Sequence, residues 1–162
     1  MIMVLVVGID IGGTNIRGIL WDGRKIIRKI EIKTPQGRAG FEKKIKQLVA
    51  GLSRGKSIAG IGIGSAGVVQ GTVLRFSPNI PKVKNFDFLN MRDLIPHVRL
   101  RVDNDARCFA RGEYVLGAAQ SFKSAFFLTI GTGIGRAYGS NGKILRIKKF
   151  EYPEYYEREY QR

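Results

Sequence analysis

The chain has 162 residues, of which 44% are hydrophobic and 25% charged, so its composition is that of a globular protein and excludes a disordered or fibrous one. Its 28 Lys and Arg residues against 13 Asp and Glu give a formal net charge of +15, and the basic residues recur along the whole chain. This spread favours a solvated basic surface over a dedicated nucleic-acid arm, and a basic nucleic-acid-binding domain is kept only as an alternative.

Cysteine usage and the N-terminal sequence both bear on the cellular compartment. The single cysteine, Cys108, forms no intrachain disulfide, and no cluster of Cys and His has zinc-ligand spacing. A cytoplasmic location without a zinc site is therefore expected. The apolar N-terminal run is interrupted by Asp10 and by glycines, which predicts a buried strand rather than a signal peptide or a membrane span.

The first third of the chain predicts a three-stranded antiparallel meander followed by one helix. Apolar runs of strand length cover residues 3–9, 16–22 and 26–32, and the dipeptide Asp22-Gly23 between the last two is a hairpin signal. Apolar residues then recur at helical spacing, with lysines on the opposite face, and predict an amphipathic helix that ends near Gly55. Its apolar positions are Phe41, Ile45, Leu48, Val49 and Leu52.

The rest of the chain predicts alternating strands and helices that end in a second β section. A strand at 58–63 precedes a Gly- and Pro-rich hairpin segment, a short helix within 86–96 and a strand at 98–102. A helix over 106–116 follows, and then come strands at 125–130, 134–139 and 143–147. Residues 150–162 are acidic and rich in tyrosine, and they predict a helix at a frayed terminus.

Two glycine-rich turns, each after an apolar strand, are candidate phosphate-binding sites. In the first, Gly12, Gly13 and Thr14 follow the strand that ends at Asp10. Backbone N–H groups of such a turn approach phosphate oxygens because no Cβ intervenes, and Asp10 is placed to hold a hydrated Mg²⁺. The second turn repeats this order with Gly131, Thr132 and Gly133. A single turn of this kind is equally explained by hairpin geometry, but two in one chain indicate a pair of polyphosphate clamps.

A third candidate site lies where a predicted strand ends and a helix begins. A carboxylate at Asp105 that faces a cleft is able to accept the proton of a substrate hydroxyl, while the amide of Asn104 orients that hydroxyl. The alternative is helix capping, which is the commoner role of Asn and Asp before a helix and which suits Asp103 best.

Taken together, these three sites resemble the ROK family of sugar kinases, repressors and open reading frames, within the actin, Hsp70 and sugar kinase superfamily. The segments that carry the resemblance are DIGGTNIRG, GIGIGSAGVV with GTVLRFSPNIP, VDNDARCFARGEYVLGA and LTIGTGIG. They occur in the family's order between residue 3 and about residue 147.

The resemblance implies an ATP- and Mg²⁺-dependent kinase that phosphorylates a hexose in the manner of a glucokinase. Asp105 is implied as the catalytic base, Asp10 as the residue near Mg²⁺, and Asn104 as a ligand of the sugar hydroxyls. The matching positions imply three further sugar-pocket residues, Ser65, Gly67 and Asn79. The glycines and threonines of both turns are implied to face the phosphates: Gly12, Gly13, Thr14, Gly131, Thr132 and Gly133.

The family pattern also implies a fold class and a domain organisation. We expect an α/β chain whose N-terminal lobe, residues 1–123, has a ribonuclease-H-like mixed sheet. Residues 124–149 are expected to open a second lobe with a β-hairpin, and residues 150–162 to form the tail. The family's later sugar-binding, zinc and adenosine motifs are not found after Ile147, so a truncated kinase, or the remnant of one, with little or no activity as a single chain is expected.

Two other functional classes stay open beside the kinase. In the first, the chain is a non-catalytic binding protein that forms homo-oligomers through the C-terminal hairpin, because a hydrophobic hairpin at a sheet edge favours pairing with another copy. In the second, it is the nucleic-acid-binding domain already mentioned, which predicts affinity that falls steeply with salt.

Overall fold

The computed structural model describes residues 4–80, 82–94, 97–131 and 133–151. Packing divides the chain into two compact units, Met1–Asn104 and Asp105–Arg162. The expected lobes over residues 1–123 and 124–149 refer to domains of the family, which a division by packing does not test, so they stay a prediction. In the part of the chain that is described, no helix has the length and apolar character needed to cross a membrane.

The first unit is built on a five-stranded mixed sheet. Its spatial order is β3 (Ile26–Lys33), β2 (Asn15–Trp21), β1 (Val6–Ile11), β4 (Gly60–Ser65) and β8 (Arg99–Asn104). Strands β1 to β3 pair antiparallel, whereas β4 lies parallel to both β1 and β8. The predicted meander and the predicted mixed sheet are confirmed.

The predicted first helix is also confirmed, as α1 (Arg38–Ser53), and it packs on one face of this sheet. All five predicted apolar positions, from Phe41 to Leu52, are buried in the core. Gly18 on β2 allows the close approach, because a Cβ there would lie 2.7 Å from the Cδ1 atom of Leu52. The helix ends at Arg54, whose left-handed backbone places its N–H on the carbonyl oxygen of Ala50 at 2.9 Å.

A small antiparallel sheet closes the core of the first unit. It orders β5 (Val68–Gln70), β6 (Val73–Phe76) and β7 (Phe86–Asp87). A 3-10 helix at Phe88–Leu94 follows, where the sequence predicted a short helix within 86–96. Phe41 of α1 stacks edge-on against Phe86 with 5.1 Å between ring centroids, which ties α1 to this sheet.

The second unit is a helix on a three-stranded sheet. α2 (Asp105–Leu116) covers one face of β9 (Ser124–Ile130), β10 (Ile134–Ser140) and β11 (Lys143–Leu145), with β10 in the middle. The predicted turn between β10 and β11 is confirmed, with left-handed backbones at Asn141 and Gly142. A short helix, α3 (Lys148–Glu151), follows, and the predicted tail from residue 152 lies outside the described residues.

Candidate functional site

The carboxyl ends of β1, β4 and β8 meet at one edge of the first sheet. Register places Ile11 beside Ser65, and Ser65 beside Asn104. In open α/β sheets, ligands bind outside this edge of the parallel strands. Most of the predicted site residues of the first unit are at this edge or in the loops that leave it.

The first glycine turn is held in place by a residue that the sequence did not indicate. Gly12 donates its N–H to the carbonyl oxygen of Asn15 at 3.0 Å, and the Thr34 hydroxyl donates to the carbonyl oxygen of Gly12 at 2.7 Å. The backbone N–H of Thr34 donates to the carbonyl oxygen of Thr14 at 2.9 Å. Thr34 is buried beside the turn and fixes it from the end of β3.

This turn lies directly against the predicted sugar residue Asn79. A Cβ on Gly13 would lie 2.7 Å from the Cβ of Asn79 and 2.8 Å from its carbonyl oxygen, so only glycine fits there without movement. The structure therefore brings a predicted phosphate residue and a predicted sugar residue together, although 66 positions separate them in the sequence.

Asp10 is exposed on β1, beside Gly64 of β4 and opposite Arg17 of β2. No group of three or more His, Cys, Asp and Glu side chains comes together within the described ranges. Mg²⁺ keeps several waters and is bound in proteins through one or two carboxylates together with substrate phosphates. The role of Asp10 toward this ion stays a prediction.

The turn after β4 contains Ser65 and Gly67, two of the predicted sugar residues. Ser65 is fully buried, and its hydroxyl lies 3.4 Å from the carbonyl oxygen of Ala66. Gly67 has a φ of +106°, and a Cβ on it would lie 2.3 Å from the carbonyl oxygen of Phe76. Gly67 thus packs its backbone against the segment that leads from Phe76 to Asn79.

Ser77, which the sequence did not single out, is buried inside this packing. It is completely inaccessible, and its hydroxyl has no hydrogen-bond partner among the described residues. A Cβ on Gly67 would lie 2.7 Å from the Cα of Ser77. Nothing local in the segment SPNIP signals this burial, since the contact comes from the distant turn at Gly67.

Asn104 ends β8 and Asp105 begins α2, as the sequence predicted. The Asn104 amide donates from Nδ2 to the carbonyl oxygen of Gly67 at 3.2 Å, so it reaches the turn after β4. The Asp103 carboxylate accepts the Asn104 N–H at 2.9 Å, in agreement with its expected structural role. Asp105 accepts the Ala106 N–H at 2.9 Å, which is a local contact at the first turn of the helix.

The second glycine turn joins β9 to β10 in the second unit. Gly131 donates its N–H to the carbonyl oxygen of Gly133 at 3.0 Å, and a Cβ on either glycine would meet nothing within 4 Å. Thr132, the third predicted residue of this turn, lies outside the described residues. Both glycines therefore present open backbone, in contrast to the crowded Gly13.

Residues 6–148 match the sequence profile of the ROK family, and the chain belongs to this family. It is 30% identical over 144 residues to a glucokinase from Thermotoga maritima, an alignment that covers 86% of the chain and 45% of the relative. It is 33% identical over 158 residues to a polyphosphate glucokinase from Mycobacterium leprae, at 91% and 47% coverage.

Solved structures agree with the sequence relatives. A ROK family glucokinase from Streptomyces griseus, in complex with glucose and AMPPNP, superposes with a TM-score of 0.79 at 31% identity. The superposition covers 89% of this chain and 47% of that one. The predicted α/β fold of the actin-like sugar kinases is thereby confirmed, and the chain spans about half the length of the relatives it matches.

Proposed function

We propose that this chain carries the sugar-binding and base residues of an ATP-dependent hexose kinase, with glucose as the first sugar to test. The observation that carries the proposal is the placement of Asn104 at the strand edge, bonded to Gly67, with Asp105 next to it at the start of α2. The membership in a family with glucokinases supports it.

The chemistry requires a base, an oriented hydroxyl and a stabilised phosphoryl group. The Asp105 carboxylate accepts the proton of the sugar hydroxyl, while the Asn104 amide holds a neighbouring hydroxyl and fixes the direction of attack. The hydroxyl oxygen forms a bond to the γ-phosphorus, the bond from that phosphorus to the β–γ bridging oxygen breaks, and ADP leaves. In this proposal Ser65, Gly67 and Asn79 complete the sugar-binding residues.

The two glycine turns supply charge stabilisation in this scheme. Gly12, Gly13 and Thr14 in one turn, and Gly131, Thr132 and Gly133 in the other, direct backbone N–H and hydroxyl groups to phosphate oxygens. Asp10 would hold Mg²⁺, and the ion would supply charge neutralisation at the phosphate oxygens when bound. The proposal includes a cytoplasmic location, which the single cysteine favours.

The decisive experiment measures ATP-dependent phosphorylation of a hexose panel by the 162-residue chain and by its Asp105→Asn variant. Because the chain spans about half the length of its relatives, we expect low turnover in the parent chain, and a further loss of at least about 100-fold in the variant, the range typical of a lost general base. Asparagine keeps the size of the side chain and its acceptor oxygen, so the fold is preserved. A chain that binds neither glucose nor ATP in calorimetry contradicts the proposal.

A second candidate function, homo-oligomerisation through the hairpin of β9 and β10, is favoured by one specific observation. The face of this hairpin that α2 leaves uncovered carries the opposed pairs Ile130 with Ile134 and Phe126 with Tyr138, and it also carries Leu128 opposite Arg136. Their exposed fractions are 71% for Phe126, 58% for Leu128, 85% for Ile130 and 51% for Ile134. An apolar patch of this kind marks an interaction surface.

Sedimentation of the Leu128→Glu variant tests this second candidate. If the uncovered face joins two copies, the charged side chain converts the oligomer to a monomer. Ile26→Glu is the matched control, because Ile26 is 56% exposed on the first unit and lies outside the hairpin. A parent chain that sediments as a monomer at high concentration excludes this function.

A further inference from the structure

The peptide unit between Gly12 and Gly13 has two orientations that differ in what they offer to an anion. The N–H and C=O groups of a trans peptide point in opposite directions, so one orientation presents the Gly13 N–H and the other the Gly12 carbonyl oxygen. The N–H attracts a phosphate oxygen and the carbonyl oxygen repels it. Because a glycine stands on each side, the backbone itself does little to choose between the two orientations.

Thr34 makes this choice through two hydrogen bonds. Its hydroxyl donates to the carbonyl oxygen of Gly12 at 2.7 Å, so the Gly13 N–H of the same peptide unit points away from Thr34. Its backbone N–H donates to the carbonyl oxygen of Thr14 at 2.9 Å, which by the same geometry turns the Asn15 N–H away as well. The Gly12 N–H is used within the turn, whereas the Gly13 N–H donates to no other backbone group among the described residues.

The position of the Thr34 hydroxyl is itself fixed. The residue before a proline is restricted to extended backbone, and a β-branched side chain has little freedom about its first torsion angle, so Thr34 is constrained on both counts. Pro35 packs on α1, where a Cβ on Gly40 would lie 3.4 Å from the proline Cβ. On its other side the turn meets Asn79, whose carbonyl oxygen would lie 2.8 Å from a Cβ on Gly13. The turn is therefore held between two ordered segments.

We propose that Thr34 is the positioning residue of the first phosphate turn. Its hydroxyl keeps the peptide unit between Gly12 and Gly13 in the orientation that offers the Gly13 N–H to a phosphate oxygen, although Thr34 itself contacts no phosphate. Without this hydroxyl, the unit is free to rotate and to present the Gly12 carbonyl oxygen to the anion instead. The inference rests on the phosphate role proposed above for this turn and adds the group that orients it.

Two substitutions remove the hydroxyl and one keeps it. Thr34→Val preserves the shape of the side chain and the backbone hydrogen bond to Thr14, and Thr34→Ala avoids placing a methyl group against the Gly12 carbonyl oxygen. Thr34→Ser retains the hydroxyl on a smaller side chain. Thr72→Val is the matched control, because the Thr72 hydroxyl donates to the Asp87 carboxylate at 2.7 Å in the turn between β5 and β6. It loses a bond of the same length away from the glycine turn.

The measurement is a titration of each ¹⁵N-labelled protein with inorganic tripolyphosphate, followed through the amide resonance of Gly13. Ionic strength is held constant, because a chain with a net charge of +15 attracts any polyanion without a defined site. We expect a saturable shift of the Gly13 resonance in the parent chain. Thr34→Val and Thr34→Ala are expected to bind about tenfold more weakly, on the order of one hydrogen bond, and Thr34→Ser to bind like the parent.

The control separates this role from a loss of stability alone. Thr72→Val is expected to lower the melting temperature about as much as Thr34→Val does, yet to bind tripolyphosphate like the parent chain. Parent-like affinity in Thr34→Val and Thr34→Ala overturns the inference and leaves the kinase proposal standing, and so does an equal loss in Thr34→Ser. A Gly13 resonance that tripolyphosphate does not shift in the parent chain overturns both the inference and the phosphate role of the turn.

Discussion

The Nδ2 amide of Asn104 donates a hydrogen bond to the main-chain carbonyl oxygen of Gly67, across 3.2 Å and 37 positions of sequence. This contact joins the end of β8 to the turn after β4. It fixes the side chain that the kinase proposal assigns to the sugar, and it does so through a backbone atom that no substitution at residue 67 removes. The orientation of Asn104 is therefore a property of the fold of the first unit.

Asn104→Asp is expected to weaken both the fold and sugar binding. The carboxylate has the size of the amide, but it cannot donate to the Gly67 carbonyl and instead places negative charge beside it. The part-buried carbonyl oxygen then loses this donor, which costs about 1 kcal/mol of unfolding free energy. Urea denaturation measures this loss, and calorimetry with glucose measures the affinity.

Asn104→Gln is the companion variant, since it keeps the amide on a longer side chain. It is expected to retain more stability than Asn104→Asp because its amide still reaches a carbonyl oxygen in the turn. Equal stability of the parent chain and Asn104→Asp would show that the hydrogen bond to Gly67 contributes nothing to the free energy of unfolding.

A Gly→Ala substitution is expected to lower stability in the first glycine turn and to leave it unchanged in the second. Gly13→Ala forces a Cβ to within 2.7 Å of the Asn79 side chain, and overpacking of this kind costs about 1–3 kcal/mol. Gly133→Ala places its Cβ in open space and is expected to leave the melting temperature unchanged. Differential scanning calorimetry of both variants checks this contrast.

The affinity of Gly133→Ala for AMPPNP shows whether Gly133 contacts a phosphate, separately from any effect of the residue on stability. If its backbone approaches a phosphate, the added methyl group lowers nucleotide affinity while the melting temperature stays constant. Unchanged affinity in Gly133→Ala argues against a phosphate contact at this residue. A melting temperature that falls as far as that of Gly13→Ala contradicts the open geometry of the second turn.

Local sequence signals predicted the helices, strands and turns well, because the formation of each of these elements depends on residues that are close in the sequence. Asp22-Gly23 and Asn141-Gly142 form the hairpin turns that their chemistry predicts, and α1 buries every residue of its predicted apolar stripe. The end of β8 and the start of α2 were placed by the polar residues around Asn104. The family resemblance then supplied roles that no local pattern carries.

Contacts between distant segments could not be predicted from local sequence patterns. Nothing near Thr34 indicates that its hydroxyl holds the turn at Gly12, and nothing near Ser77 indicates that Gly67 buries it. Arg107 is an exception to the solvated basic surface expected from the sequence, because it is 3% exposed and paired with Glu151. Its helix faces a sheet and α3, a relationship that spacing along one helix does not reveal.

Asp22 is expected to make the first hairpin sensitive to acid. Its carboxylate accepts the N–H groups of Lys25 and Arg24, each at 2.8 Å, and these bonds hold the pKa of Asp22 below its usual value. A carboxyl whose pKa is lowered by folding stabilises the fold above its unfolded pKa of about 3.9, and this stabilisation is lost as the pH falls through the lowered value. Unfolding curves of the parent chain at several pH values below 5 follow this loss.

Asp22→Asn separates the effect of the Asp22 charge on stability from the effect of its hydrogen bonds. The asparagine oxygen still accepts both N–H groups, so the turn is preserved, but it does not titrate. We expect this variant to show a weaker dependence of stability on pH than the parent chain in the acidic range. If stability falls with pH in the same way for both proteins, Asp22 does not contribute to the acid sensitivity of the fold.

The buried ion pair between Arg107 and Glu151 is expected to be the most sensitive polar contact of the second unit. The side chains are 3% and 2% exposed, and Glu151 also accepts the N–H of Ile147 at 3.2 Å. Removal of one partner from a buried pair leaves an uncompensated charge and costs about 3–5 kcal/mol. Glu151→Ala is therefore expected to unfold at a markedly lower urea concentration.

A double-mutant cycle decides whether the charges themselves are needed. Arg107→Met with Glu151→Leu replaces the pair by apolar side chains of similar volume, and such replacements of buried pairs are often neutral or stabilising. We expect the double variant to recover most of the stability that either single variant loses, which gives a large coupling energy. Additive losses in the cycle would show that the two side chains stabilise the unit independently, through α2 and α3 separately.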